Sequence, residues 1–165
     1  MGQGGNEPPR PTYDYYPLHS LPPVLGIVWC QFPTQEMPSK PGPKTRPALV
    51  RAVMVSKGGT KAALGVTYGT SKLKALERPH DLIIANLAEM NMAGLPQATR
   101  FDLDNHRTVI LPWAKEFFTP REGYKDPLIG VLPQSSVAQL QALIVLRRQM
   151  AAEQRALQES QRPDC

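Results

Sequence analysis

The sequence predicts a mostly β (α+β) fold, a small barrel or sandwich ending in one helix, and three observations point to it. From Val24 onward, short apolar runs alternate with turn residues, the pattern of an all-β domain. The last apolar stretch switches to helical spacing. A chain of 165 residues without internal repeats suits one domain with a core of its own.

The elements follow in order. Residues 1–23 contain Pro8, Pro9, Pro11, Pro17, Pro22 and Pro23; proline this dense removes backbone donors, so the segment reads as a flexible or extended arm. Its Tyr13, Tyr15 and Tyr16 either pack back on the domain or stack on bases, and packing or disorder is the simpler expectation. The barrel is expected over 24–150 and a polar helix extension with a tail over 151–165. VLGIVWCQF (24–32) reads as a buried strand whose glycine permits a bend. PTQEMPSKPGPK (33–44) is broken by prolines and a glycine and must be a long loop. PALVRAVMVS (47–56) is a second strand, closed by the turn KGGTK. AALGVTYGTS (62–71) is a third and DLIIANLAE (81–89) a fourth, followed by a loop with Gly94 and Pro96. RTVILPW (107–113) and PLIGVLPQ (127–134) complete the strands. In the helix from Ser135 to Ser160, Val137, Leu140, Ile144 and the Arg147 stem share a face, and Ser136 with Gln139 suggests a capping box. Beyond Met150 the helix is mostly Gln, Glu, Arg and Ala, a solvent-exposed extension or a surface for a partner.

Charge is uneven. The 19 Lys+Arg exceed the 14 Asp+Glu by five. Between Pro38 and Lys74 stand Lys40, Lys44, Arg46, Arg51, Lys57, Lys61, Lys72 and Lys74 with no acid. An even scatter of acids would put about three there, so the stretch predicts a local basic field suited to a polyanion, or else a solvated basic face. The two cysteines, Cys30 and Cys165, have neither disulfide-framework nor metal-site spacing. No apolar run approaches the roughly 18 residues of a membrane span, and the opening MGQGGNEPPRP lacks a signal peptide's apolar stretch. A cytoplasmic protein is the expectation.

Known catalytic spacings are missing. His19, His80 and His106 are scattered, so no metal is expected. No Walker loop, glycine-rich strand-to-helix turn or G-x-S-x-G elbow occurs, so no nucleotide-type cofactor is expected either. What stands out is Arg46 at the start of one strand and Thr67, Tyr68, Thr70, Ser71 and Lys72 at the end of the next. If those strands pair, at about 5 Å spacing, a guanidinium and a hydroxyl converge on one small anion. Cleaving RNA without a metal asks for little more. The ribose 2′-OH attacks its own phosphate, and the protein stabilises charge on the phosphoryl oxygens; DNA, lacking that nucleophile, is not cut.

GIVWCQFP, KTRPALV, VTYGTSK, FDLDNHRTVILPW and PLIGVLPQSSVAQL, in this order, resemble the PemK/MazF toxins of type II toxin–antitoxin systems. The resemblance runs from about Gly26 to Met150, and the opening strand, loop and K-T-R-P segment are its specific part. It implies an SH3-like β-barrel with a C-terminal helix, a homodimer, metal-independent sequence-selective cleavage of single-stranded RNA, and a cognate antitoxin partner. The family's catalytic arginine falls on Arg46, as phosphate stabiliser and general acid toward the leaving oxygen, and its catalytic threonine on Thr70, with Thr67 the alternative register. Lys44, Thr45, Ser71, Lys72 and Thr67 are the implied RNA-binding residues, and the loop Thr34 to Pro43 corresponds to one that helps cover RNA in relatives. Trp29 and Phe32 fall in the opening strand, where core or dimer packing is the plainer role.

The chain also departs from the family. Many relatives carry an acidic residue followed by Gln and Arg, whereas here the region reads IIANLAEMNMAGL. The general base is therefore unassigned, with Asn91, His106 and Arg107 the nearest substitutes. Two other classes stay open: a gyrase-poison-like binder on the same barrel, and a basic nucleic-acid-binding module without nuclease activity.

Overall fold

The structure, a computed structural model, describes residues 12–73, 80–104 and 107–163. It is an α+β fold, a curled antiparallel half-barrel sheet with a C-terminal helix. The strands are β1 (Gly26–Cys30), β2 (Arg46–Val55), β3 (Ala62–Thr70), β4 (Leu82–Ile84), β5 (Thr99–Phe101), β6 (Thr108–Pro112) and β7 (Leu128–Val131). The helices are α1 (Leu87–Ala93) and α2 (Gln134–Ser160). Among the described residues no helix is long and apolar enough to cross a membrane.

The sheet runs β4-β5-β3-β2-β1-β7 and forks at β3. Residues Ala63 to Thr67 of β3 pair with β6, while Gly69 and Thr70 pair with β5. Successive side chains in a strand point to opposite faces, and both faces of the central strands are covered. Val28, Cys30, Ala48, Val50 and Val66 pack with Trp113, Phe117 and Phe118 on one side. Ile27 and Leu49 pack with Leu82, Phe101, Leu132 and Leu140 on the other. This explains the unbroken apolar run of β1, all five residues of which are buried. Cys30 sits fully buried, and burial pushes its thiol far above the ordinary range, so it is a core residue and no nucleophile.

Four expectations need correction. The fourth strand stops at Ile84 rather than Glu89, because Asn86 Oδ1 accepts from the Ala88 and Glu89 amides at 2.8 and 3.5 Å and starts α1. Short apolar runs carry too little periodicity to separate helix from strand. Helix α1 ends at Gly94, whose φ of 72° is left-handed and whose Cβ position would meet the Ile129 carbonyl at 2.5 Å. The expected loop after it contains β5, three residues too short to show alternation. The capping box at Ser136 does not form. Helix α2 begins at Gln134, and Ser135 and Ser136 instead donate to the two Glu89 carboxylate oxygens, both at 3.2 Å, tying α2 to α1.

The fourth correction concerns the arm. Residues 1–11 lie outside the described residues, but 12–23 are laid on the half-barrel sheet and the segment after β6, so the packed unit begins ahead of Val24. Tyr15 bridges Ala114, Tyr16 donates to the Phe118 carbonyl at 2.9 Å, and its ring packs on Trp113 with centroids 4.6 Å apart. The packing alternative holds for these tyrosines. Past Met150, α2 is exposed as expected.

Candidate anion-binding site at the ends of strands β2 and β3

The β2–β3 ladder places the first residue of one strand beside the last of the other. It pairs Ala48 with Tyr68, and two residues further along each strand lie Arg46 and Thr70. Both line a pocket of about 80 Å³ together with Thr45, Ser71, Trp29 and Arg121. Gly69 makes the close approach of strands here. A Cβ on it would lie 2.3 Å from the Pro47 carbonyl and 3.0 Å from the Phe101 ring.

Two guanidiniums line this pocket, and its described lining holds no carboxylate. Arg46 Cζ lies 5.5 Å from the Tyr68 ring centre and Arg121 Cζ 5.4 Å from that of Trp29. Among the described residues neither forms an ion pair. Aromatic faces hold cations in place without neutralising them. Thr70 is buried, and its Oγ1 accepts from the Lys72 amide at 3.2 Å, leaving its own proton to donate elsewhere. The buried Trp29 Nε1 has no acceptor among the described residues.

Gln31, one residue past β1, ties the pocket's walls together. Its Nε2 donates to Thr45 Oγ1 at 2.8 Å and to the Thr119 carbonyl at 3.2 Å, and its Oε1 accepts from the Thr119 amide at 2.8 Å. The segment leading into Arg46 is thereby fixed to the one that carries Arg121. The loop Thr34 to Pro43, mostly exposed, is held at its end where Gly42 donates to the Gln31 carbonyl at 2.9 Å.

The structure brings together Thr45, Arg46, Thr70 and Ser71 of the expected residues. It does not bring Thr67. That residue pairs with Leu49, is fully buried, and exchanges a hydrogen bond with Thr108 at 2.8 Å, so strand alternation places it on the opposite face from Arg46. Lys44 and Lys72 are exposed and stand outside the pocket lining. Phe32 is core, against Tyr68. Of the substitutes for a base, Asn91 is exposed on α1, His106 lies outside the described residues, and Arg107 sits 5.0 Å from the Tyr68 ring centre and 3.8 Å from Asp102.

The expected basic field also divides. Lys44, Arg46 and Lys72 stand at one end of the β2–β3 pair and Lys57 and Lys61 at its turn. A ten-residue strand separates these ends by about 30 Å. Lys74 lies outside the described residues. Sequence reading missed Arg121 and Gln31: Arg121 lies in a polar loop with no local signal, and Gln31 is distinguished only as a polar residue directly after a buried strand. Compared with protein-family models and with curated proteins, the chain matches none.

Proposed function

We propose that the protein is a metal-independent, sequence-selective endoribonuclease of the PemK/MazF type, a toxin that cuts single-stranded RNA. The observation that carries this reading is Arg46, a guanidinium with no carboxylate partner among the described residues, lining one pocket with Thr70 and Arg121. A phosphodiester seated there meets two planar cations and a hydroxyl donor, the groups that stabilise charge developing on phosphoryl oxygens. The 2′-oxygen forms a bond to phosphorus as the bond to the 5′-oxygen breaks, leaving a 2′,3′-cyclic phosphate and a 5′-hydroxyl. Arg46 is the candidate proton donor to the leaving oxygen. The described lining residues include no carboxylate or imidazole, so the 2′-OH proton passes to solvent water, which in turn reprotonates Arg46.

The homodimer, the cognate antitoxin and the cytoplasmic setting belong to the same proposal. Exposed apolar residues such as Ile110, Leu128 and Val131 provide surface for such partners.

The test is incubation with a long end-labelled single-stranded RNA in excess EDTA, beside the Arg46→Ala variant. Discrete cuts are expected from the wild type, with the variant slower by at least about 10²–10³-fold, the usual cost of one preorganised donor. Equal cleavage by both would remove Arg46 from the mechanism. If neither cuts, the binding readings move ahead; inhibition of DNA gyrase in a supercoiling assay with no RNA present would favour a gyrase poison, and salt-sensitive RNA binding alone a basic module.

A further inference from the structure

Arg51 occupies an unexpected place in the sequence, a charge in the middle of the apolar run PALVRAVMV. The structure accommodates it with a β-bulge. Val50 pairs with Val66 and Ala52 with Gly65, so Arg51 is the extra residue in the ladder. Bulges re-aim side chains and recur beside functional sites. This one directs Arg51 into a groove of about 500 Å³ between the sheet and α2, within the range of about 300–1,000 Å³ common for small-molecule sites.

The groove is cationic at one level and apolar at another. Arg147 is already neutralised, bonded to Asp104 and 3.7 Å from Asp81. Arg51 is not: it is half-buried, its side chain donates to Thr67 Oγ1 at 3.5 Å, and no carboxylate among the described residues pairs with it. Burial alone pulls its pKa below the ordinary arginine value. Arg148, also on the lining, has no ion pair among the described residues either. Leu103, Ile144, Met150 and Ala151 supply apolar wall. An unpaired, desolvated cation in a concave site is a functional signal rather than a stabilising feature.

We propose that this groove binds a small organic anion, its phosphate or carboxylate head on Arg51 and Arg148 and its apolar body against Leu103 and Ile144. The site shares no lining residue with the Arg46 pocket, so it stands whether or not the protein cleaves RNA.

The probes are phenyl phosphate, benzoate, inorganic phosphate and benzyl alcohol, titrated into the full chain by calorimetry at low salt with amide NMR to locate the response. Phenyl phosphate or benzoate is expected to bind at least tenfold more tightly than inorganic phosphate or benzyl alcohol, with shifts around Arg51, Ile144 and Arg148. The tighter of the two names the head group. Arg51→Met, which keeps the apolar stem, is expected to fold and to lose at least tenfold in affinity. Arg148→Gln, at an exposed helix position, provides a second loss variant. Absence of binding by the wild type, unchanged affinity in both variants, or shifts confined to the Arg46 pocket would each overturn the proposal.

Discussion

Two groups of arginines occupy this small molecule, and their neighbours treat them differently. On the β5 side, Arg100 lies 2.7 Å from Asp81 and 3.9 Å from Asp102, and Arg147 holds Asp104 and Asp81. At the ends of β2 and β3, Arg46 and Arg121 lie over aromatic rings and form no ion pair among the described residues. A guanidinium in contact with a carboxylate must give up that partner before it can hold another anion. One held by an aromatic face keeps its charge for an incoming phosphate. Arg107 spans the two groups, near Asp102 and over Tyr68. Residue type alone therefore does not mark a working arginine; its pairing does.

The sharpest way to break this comparison is to remove an acid from the paired group. Asp81 is 1% exposed at its side chain, accepts from Arg100, and also accepts from the Leu103 amide at 3.0 Å. Asp81→Ala removes the nearer of the two carboxylates beside Arg100 and the acceptor of the Leu103 amide, leaving Asp102 at 3.9 Å, and is expected to lower stability by about 3 kcal/mol in urea unfolding. A loss under about 1 kcal/mol would mean that the network is ornamental to the fold.

The aromatic-held group should respond in the opposite sense, in rate rather than stability. Arg121→Ala is expected to slow RNA cleavage by about 10²-fold while shifting stability by no more than about 1 kcal/mol, the scale of a cation–π contact. Unchanged cleavage would leave Arg46 as the lone cation acting on phosphate. The smallest expected effect lies with Gln31, which touches neither anion nor ring. Gln31→Ala loosens the tie between the Thr45 and Thr119 segments, and should reduce cleavage by about tenfold, below the roughly 10²-fold that a 1 Å misplacement costs. A loss as large as that of Arg46→Ala would show that Gln31 does more than position.

The sequence by itself determined the strand-rich core and the terminal helix. Alternation, β-branched runs and turn residues are local features, and each of the six expected strands overlaps an observed strand, the fourth only over Leu82–Ile84. That Arg46 and Thr70 stand at one pocket was also legible, because they end the two strands that one hairpin joins. Local reading failed where a contact comes from far along the chain. Glu89 took the serines expected to cap α2, and Arg121 reached the Arg46 pocket from a loop without pattern; the Asn86 cap that starts α1 is a separate, local signal that the apolar run hid. Only tertiary structure decided which arginines are neutralised, because a charge's partner is set by distance in space rather than along the sequence. That is why basic residues clustered in the sequence separate in space among the described residues, Arg46 standing at a small pocket by a strand end and Arg51 at a groove by a bulge.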